Sequence, residues 1–512
     1  MLAKTWSSAI QGIEAYTVEV EVNATGAGQD PIVNIVGLPD TAVRESRERV
    51  WSAMAVNSFF PPRGRTTINL APADVRKEGA AFDLPIALGM IAATNGFDRA
   101  ALSETMIVGE LALDGSVRPV KGALPIALHA RECGLRNLFV PAENAEEAAV
   151  GGGVNVFAIR SLLEAVDYFR TGNGLVPVDV RLDDLYQRKA GEEAPDFADI
   201  KGQEVAKRAL ELAAAGGHNA LLIGPPGTGK SMLASRLPSV LPDLTLAEAL
   251  EVTKIHSIAG LTSADQALIT DRPFRAPHHT VSDAGLIGGH STPKPGEISL
   301  AHNGVLFLDE LPEFRRNVLE VLRQPLETGE VTISRVQASC TFPSSFMLVA
   351  AMNPCPCGYY GSTRRQCRCT TAQIQHYRAR ISGPLLDRID LHIEVGAISD
   401  EQLLRRPQGE PSAAIRERVC RARTRQAERF TGTSTRTNAK MTPRQMRDDC
   451  ELDSSCQSLM RLAISDLDLS ARAYDRILRL ARTIADLEDA ETINGDHLTE
   501  AIQYRTLDRQ LW

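Results

Sequence analysis

The chain has 512 residues, of which 43% are hydrophobic and 23% charged, and its formal net charge is −8. These values are typical of a soluble globular protein with roughly two to four domains, and they exclude a global attraction to nucleic acid, so any DNA-binding face must be local. The sequence has no run of about 18 apolar residues and no signal-peptide pattern, so we expect a cytoplasmic protein with no membrane partner. Nine cysteines, with four of them clustered, indicate reduced thiols and one metal site.

Residues 1–170 alternate strand and helix patterns, which predicts an α+β domain. Strands are expected at 16–22, 31–38, 67–70, 106–113 and 137–140, and helices at 41–55, 82–93 and 123–133. The dipeptide Asp114-Gly115 predicts a hairpin turn.

Three segments of this region resemble the proteolytic domain of Lon-type proteases, which has an S5-like fold: KEGAAFDLP at 77–85, VGELALDGSVRPV at 108–120 and ARECG at 130–134. The resemblance implies a Ser–Lys dyad, but Ala81 stands at the serine position and Leu124 near the lysine position, with Lys121 out of register. A peptidase without a hydroxyl nucleophile cannot form an acyl intermediate. We therefore expect an inert Lon-like domain over 1–170 that serves oligomerisation or contact with a partner.

A linker is expected at 171–196, where glycines, a proline and a charged run interrupt the periodic pattern. A nucleotide-binding core is expected at 197–400, beginning with a helix at 204–215. A helical region follows at 401–512, with helices predicted at 414–429, 469–486 and 492–504. The first of these carries six arginines, which we interpret as a solvated helix face.

The stretch LLIGPPGTGKS at 221–231 is a phosphate-binding loop that follows a short apolar strand. Its pattern G-x-x-x-x-G-K-S is filled by Gly224, Pro225, Pro226, Gly227, Thr228, Gly229, Lys230 and Ser231. Glycines allow backbone N–H groups to converge on a phosphate, and a helix N-terminus favours its charge. We expect Lys230 to reach the β- and γ-phosphates of ATP and Ser231 to hold Mg²⁺; the alternative is a chance glycine-rich turn.

Two more apolar segments end in polar residues. The first, at 304–310, ends in Asp309 and Glu310. We expect Asp309 to hold Mg²⁺ through water and Glu310 to deprotonate the attacking water. The alternative is that these carboxylates only cap a helix. The strand predicted at 346–351 precedes Asn353, which is placed to bind the γ-phosphate or the water, the role called sensor 1 in AAA+ enzymes.

Two arginines are candidates for stabilising transition-state charge. In LLDRIDL at 385–391, Arg388 would act on the γ-phosphate of a neighbouring subunit as an arginine finger, or else form a surface pair with Asp387. Arg472 occupies the sensor 2 position of a helical lid and is expected to reach back to the γ-phosphate.

Two C-x-C pairs, Cys355 with Cys357 and Cys367 with Cys369, can supply four thiolates in the tetrahedral geometry that suits Zn²⁺. Free or oxidisable thiols are the alternative. The loop between the pairs is basic and aromatic, so it either touches nucleic acid or is a solvated face. Insertions elsewhere in the core offer Lys294 and Arg335, the latter near the tip of a hairpin predicted at 330–340, as DNA contacts.

Five of these motifs together resemble the magnesium-chelatase-like AAA+ ATPases called ComM or YifB: GPPGTGKS at 224–231, FRAPHHTVSDAGLIGG at 274–289, GVLFLDELPEF at 304–314, AAMNPCPCGYYG at 350–361 and LLDRIDLHIEV at 385–395. The resemblance implies a parallel-sheet AAA+ core with chelatase-like insertions, a helical lid and a hexameric ring. It also implies ATP-driven work on single-stranded or branched DNA, as a helicase or branch-migration factor in recombination or natural transformation. The alternative is a chelatase-type or chaperone-like remodeller acting on a protein partner.

Overall fold

The computed structural model describes residues 1–25, 31–94, 96–97, 100–187, 195–263, 266–289, 293–334, 339–362, 365–397 and 409–507. The chain divides into two compact units. The first comprises Met1–Ala190 and Leu246–Thr270, and the second comprises Gly191–Thr245 and Asp271–Trp512. The sequence interpretation differs here, because it assigned 246–270 to the nucleotide-binding core and ended the first domain at residue 170.

Strands and helices alternate along much of the described chain. The strands are β1 Leu2–Gln11, β2 Glu14–Ala24, β3 Ile32–Val36, β4 Arg65–Ala71, β5 Thr105–Ile107, β6 Glu110–Leu111, β7 Val117–Arg118, β8 Asn137–Pro141, β9 Asn155–Ile159, β10 Ala220–Ile223, β11 Phe274–Arg275, β12 Gly288–Gly289, β13 Lys294–Pro295, β14 Val305–Leu308, β15 Glu330–Ser334, β16 Ser339–Pro343, β17 Met347–Met352 and β18 Leu391–Glu394. The α-helices are α1 Thr41–Val56, α2 Asp83–Ala93, α3 Ala123–Glu132, α4 Ala145–Ala149, α5 Leu162–Thr171, α6 Leu182–Gln187, α7 Glu204–Gly216, α8 Lys230–Arg236, α9 Leu246–Ala259, α10 Asp283–Ile287, α11 Glu297–Leu300, α12 Arg316–Glu320, α13 Arg323–Thr328, α14 Thr371–Arg378, α15 Gly383–Leu386, α16 Ser412–Arg429, α17 Pro443–Asp449, α18 Ser454–Leu467, α19 Ala471–Leu487 and α20 Gly495–Gln503.

The first unit is built on a seven-stranded sheet of order β3-β4-β2-β1-β5-β8-β9. Strand β2 pairs antiparallel with β1 and β4, whereas β5, β8 and β9 run parallel. The wholly buried helix α2 packs on β1 and β2, and α9 packs on α3. This mixed sheet fits the predicted α+β class, while its kinship with Lon proteases stays a prediction.

Strand β1 was not predicted, and its residue pattern explains why. Its buried face presents Ala3, Thr5 and Ser7, whereas the apolar Trp6 lies on the less buried face. Small and polar side chains in the core therefore hide the apolar alternation by which a strand is identified.

The second unit contains a five-stranded parallel sheet of order β11-β14-β17-β10-β18. Strands β10, β14 and β17 are continuous runs of buried apolar residues, as expected for parallel strands covered on both faces. Ile223 lies opposite Met352, and Leu308 lies opposite Ala350. The segments that follow these three strands therefore meet at one edge of the sheet. The predicted α/β class with a parallel-sheet core is confirmed.

Helices α16 to α20 form the end of the second unit, and α19 packs against α7, α16 and α20. The arginines of α16 do not form the solvated face that the sequence suggested. Three of them bond to other elements of the unit: Arg418 to Glu211, Arg423 to the carbonyl of Ala214, and Arg429 to Asp486. None of the helices in the described part of the chain combines the length and apolarity that a bilayer crossing requires.

Both predicted hairpins are present. Strands β6 and β7 pair around Gly115, which has a φ of +88°. Strands β15 and β16 pair from Glu330 opposite Pro343 to Ser334 opposite Ser339. Residues 335–338, which include the DNA-contact candidate Arg335, lie outside the described residues.

Candidate functional site

The phosphate loop joins β10 to α8 at the carboxyl edge of the parallel sheet. Gly227 and Gly229 have φ values of +78° and +87°, a region that favours glycine, and a Cβ on either would meet open space. Gly224 is fixed differently, because a Cβ there would lie 2.1 Å from the carbonyl oxygen of Val395. The loop thus keeps the backbone conformation and the open concavity that a polyphosphate needs.

Lys230 is held at the start of α8 by oxygen acceptors. Its Nζ donates to the carbonyls of Gly224 at 2.8 Å and Pro225 at 2.9 Å, and lies 3.3 Å from Oδ1 of Asn353. Burial lowers the pKa of Lys230, and the charge of Asp309 opposes that shift. Phosphate oxygens would bind this ammonium more strongly than neutral carbonyls do, because charge-assisted hydrogen bonds are stronger.

Ser231 and Asp309 meet across the sheet edge, where the Ser231 hydroxyl donates to Oδ2 of Asp309 at 2.6 Å. The backbone N–H of Glu310 donates to Oδ1 of the same carboxylate at 2.9 Å. A hydroxyl beside a carboxylate is an oxygen donor set that suits Mg²⁺, so these residues fit the ion that the motif implies.

Glu310 is the one candidate catalytic residue whose backbone lies in the left-handed region, with φ 53° and ψ 45°. That conformation costs a non-glycine residue about 1–2 kcal/mol, and such residues cluster at functional sites. Its Oε2 lies 3.2 Å from Nδ1 of His279. The sequence interpretation assigned no role to His279. The fold supplies this contact, because β11 pairs in parallel with β14 and the segments following both strands lie at the same sheet edge.

A second polar cluster surrounds a cavity of 420 Å³ elsewhere in the second unit, which we call the basic cavity. Its basic lining residues are Arg388, Lys440, Arg472, Arg476 and Arg479, and its acidic ones are Glu327, Asp387, Asp390 and Asp475. The lining includes no phosphate-loop residue, although the structure describes that whole loop.

Both candidate arginines line this cavity. Arg388 is 8% exposed, its guanidinium binds Glu327 and the carbonyl of Pro384, and its Nε has no hydrogen-bond partner among the described residues. Arg472 is more exposed and lies 3.6 Å from Asp387. The structure therefore places Arg472 beside Arg388 in the basic cavity, and its expected reach to the γ-phosphate stays a prediction.

Asp390 organises the inner wall of the basic cavity. It binds the guanidinium of Arg476 and accepts the backbone N–H of Asn219 at 2.9 Å. Burial by itself would raise the pKa of Asp390, but the charge of Arg476 and the nearby ring of His218 hold it well below its ordinary value. The sequence interpretation missed Arg476 and Arg479. Their spacing with Arg472, at i, i+4 and i+7 of one helix face, was the available signal.

The four predicted zinc ligands come together. Their Sγ atoms all lie within 4.8 Å of one another, with Cys355 to Cys357 at 3.4 Å, Cys355 to Cys367 at 3.7 Å and Cys357 to Cys367 at 3.6 Å. Cys369 completes the group. Within the described part of the chain, this is the one group of His, Cys, Asp or Glu side chains close enough to hold a metal ion.

The remaining candidates are more isolated. Lys294 is exposed on β13, whose backbone pairs with Gly289. In the first unit, the carbonyl of Ala81 accepts the N–H of Gly109 at 2.9 Å, and the N–H of Leu124 donates to Glu147 at 3.0 Å. Positions 81 and 124 thus carry apolar side chains within a packed backbone, and the catalytic inertness of this domain stays a prediction.

Comparison with known proteins gives consistent matches along the chain. Three family models match: "Subunit ChlI of Mg-chelatase" at residues 18–144, "Magnesium chelatase, subunit ChlI" at 196–403, and "Magnesium chelatase, subunit ChlI C-terminal" at 409–505. The competence protein ComM of Haemophilus influenzae is 44% identical over 512 residues, which cover 100% of this chain and 98% of that protein. The uncharacterized protein YifB of Escherichia coli is 43% identical over 505 residues, covering 98% and 96%. The magnesium-chelatase 38 kDa subunit of Cereibacter sphaeroides is 25% identical over 335 residues, covering 60% of this chain and 91% of the subunit.

Proposed function

Because this chain belongs to the magnesium-chelatase-like AAA+ ATPases of the ComM and YifB family, we propose that it is a hexameric, ATP-driven ring motor that acts on single-stranded or branched DNA. In this role it is a cytoplasmic helicase or branch-migration factor that assists recombination or the integration of transforming DNA. The observation that carries the ATPase part is the convergence of Lys230, Ser231, Asp309, Glu310 and Asn353 at one sheet edge.

Hydrolysis of ATP in this arrangement depends on charge placement. Lys230 binds the phosphates, Ser231 and Asp309 hold Mg²⁺, and Glu310 accepts the proton of the attacking water. The Mg²⁺ ion, when bound, neutralises charge on the phosphate oxygens. Asn353 lies at hydrogen-bond distance from Lys230, so it is positioned to orient the same phosphate.

We infer that Arg388 and Arg472 serve the nucleotide of a neighbouring subunit. Both line the basic cavity, where cationic side chains outnumber carboxylates, and neither contacts the phosphate loop of its own chain. An arginine supplied in trans stabilises the charge that develops during phosphoryl transfer. For Arg388, this requires that its guanidinium leave the exposed carboxylate of Glu327, which is 58% exposed.

The DNA part of the proposal rests on kinship, because the full-length relative at 44% identity is named a competence protein. Exposed Lys294 and Arg335, which follows β15 in the sequence and lies outside the described residues, are the proposed DNA contacts. The Lon-like domain is proposed to be catalytically inert and to support assembly of the ring.

A strand-displacement assay on forked and four-way DNA tests this proposal, with Glu310→Gln as the matched variant. We expect the intact chain to separate strands only with ATP, and Glu310→Gln to bind ATP while its turnover falls by about 10²–10⁴-fold. Absence of ATP-dependent displacement by a chain with normal ATP turnover would contradict the DNA-motor proposal.

A chelatase-type or chaperone-like remodeller is the second candidate. It is favoured by the three matches to magnesium-chelatase models and by the 25% identity to a magnesium-chelatase subunit. ATP turnover that is stimulated by a protein partner and not by DNA would support this candidate over the first.

A further inference from the structure

We propose that Cys355, Cys357, Cys367 and Cys369 bind a structural zinc ion that holds Asn353 and the phosphate loop in the arrangement required for hydrolysis. The metal-binding part stands on the geometry of the four thiols. The consequence for hydrolysis rests on the ATPase function proposed above.

The distances between the thiols match a tetrahedral zinc site. A Zn–S bond of about 2.3 Å in a regular tetrahedron puts sulfur atoms about 3.8 Å apart. The three measured Sγ–Sγ distances are 3.4, 3.7 and 3.6 Å. A disulfide bond is far shorter, at about 2.05 Å, so these sulfurs are unbonded and converge on one centre.

The surroundings of the sulfurs suit thiolates. Backbone N–H groups of Tyr360 and Cys369 donate to Cys355 at 3.3 Å and to Cys367 at 3.4 Å. Hydrogen bonds to metal ligands of this kind orient the ligands and stabilise their charge. Four thiolates around Zn²⁺ carry a net charge of about −2. Arg365 lies over the ring of Tyr359, and Arg378 lies over the ring of Tyr360, so both guanidinium groups provide positive charge near the thiolates.

The cysteine loop is joined to the nucleotide site at both of its ends. Its first cysteine follows Asn353 by two residues, and Asn353 lies 3.3 Å from Nζ of Lys230. Its last cysteine directly precedes Thr370, the N-cap of α14. In that helix, Arg378 donates to the carbonyl of Pro354, the residue directly after Asn353, at 3.3 Å.

A third contact links the loop to the phosphate loop. Gly358 has a φ of +83°, and a Cβ at this position would lie 2.7 Å from Cδ of Pro226. The backbone of the cysteine loop therefore packs directly on the second proline of the phosphate loop. A metal that closes the cysteine loop fixes Gly358 and Asn353 together, and so fixes the groups on either side of Lys230.

The test uses the full-length chain and two substitutions at one ligand, Cys369→Ser and Cys369→His, with Cys133→Ser as the control at an exposed cysteine outside the cluster. Elemental analysis should give about one zinc per chain for the intact protein, the control and Cys369→His, because imidazole is a zinc ligand. Cys369→Ser should lose the metal. Its ATP turnover should fall by roughly tenfold to hundredfold, the effect of displacing a catalytic group by about 1 Å, and Cys369→His should retain most of the turnover.

Binding of a fluorescent ATP analogue and circular dichroism accompany each variant, so that loss of folding is distinguished from loss of hydrolysis. A zinc-free intact protein would overturn the metal site. Normal turnover by zinc-free, folded Cys369→Ser would overturn the link to hydrolysis. If the intact protein binds zinc but hydrolyses no ATP, the metal site stands and the proposed ATPase function fails.

Discussion

The second unit contains two polar clusters that differ in their charge balance and in whether their hydrogen-bond donors find acceptors within the chain. In the phosphate-loop cluster, Lys230, Ser231 and Asp309 bond to groups of the same chain, with Lys230 the single cation among them. The basic cavity has five cationic side chains against four carboxylates, and the Nε atoms of three of its arginines, Arg388, Arg476 and Arg479, have no hydrogen-bond partner among the described residues. The first cluster is arranged to bind a nucleotide, whereas the second has one more cation than carboxylates, a charge balance that favours an anion from outside the chain.

Replacing Arg388 tests this comparison most severely. If the basic cavity serves a neighbouring subunit, Arg388→Ala should keep ATP binding and lower kcat by about 10³-fold or more. Mixing Arg388→Ala chains with Lys230→Ala chains should restore part of the turnover, because one of the two kinds of mixed interface combines the intact phosphate loop of an Arg388→Ala chain with the intact Arg388 of a Lys230→Ala chain. Steady-state ATP hydrolysis across mixing ratios measures this. Absence of recovery in assembled mixed rings would show that the two clusters do not meet between chains.

Replacing Asp390 tests whether the wall of the basic cavity is held by its buried ion pair. Asp390→Asn leaves Arg476, whose side chain is only 16% exposed, without its buried countercharge, so the free energy of unfolding should fall by about 3–5 kcal/mol at pH 7. The folded-state pKa of Asp390 is depressed, so its contribution is present above the unfolded pKa of about 3.9 and is lost as pH falls through the lower folded value. The difference in Tm between intact chain and variant should therefore be largest at neutral pH and shrink below about pH 4.

The control for this measurement is Asp387→Asn, in the same cavity. Asp387 is 41% exposed and lies 3.6 Å from Arg472, so its loss should cost no more than about 1 kcal/mol. Equal destabilisation by both variants would argue against a special role for the buried pair.

The smallest effect is expected in the phosphate-loop cluster, at His279. Its ring nitrogen lies 3.2 Å from the carboxylate of Glu310, and a half-exposed pair of this kind restrains the carboxylate by about 0.2–1 kcal/mol. His279→Ala should therefore raise ATP turnover in the absence of DNA by up to about fivefold. His278→Ala is the matched control, because His278 bonds to Thr280. A lower turnover in His279→Ala would show instead that the bond positions Glu310 for catalysis.

The two clusters also differed in how well they could be predicted. The residues of the phosphate-loop cluster follow apolar strands within a few positions, and parallel strands bring such residues to one edge. The walls of the basic cavity come from segments around residues 326, 388, 440 and 476, and nothing in a linear pattern states that these segments meet. The resemblance to AAA+ enzymes identified Arg388 and Arg472 as candidates, but only the fold shows that both line the same cavity.

The arginines of α16 illustrate the same limit. Their density favoured a solvated face, yet Arg418 and Arg429 bind carboxylates of α7 and α19. The charge pattern of a sequence indicates which residues could be exposed. Whether a given arginine is in fact exposed depends on whether another helix of the fold offers it a carboxylate. Strand β1 shows the converse, since Thr5 and Ser7 are buried without an apolar pattern to predict it.

The division of the chain into units at residues 190, 245 and 270 affects how the first unit can be removed. Helix α9 buries Val252 and Ile255 within that unit, and Glu147 accepts hydrogen bonds from Ser257 and Thr262. A chain from which residues 1–190 are deleted would keep α9 but lose the surface that covers it. The apolar side chains of α9 would then be exposed, and exposed apolar side chains promote aggregation. A deletion meant to isolate the second unit must therefore also replace 246–270 with a short polar connection, or it will report the loss of a packing partner instead of the role of the first unit.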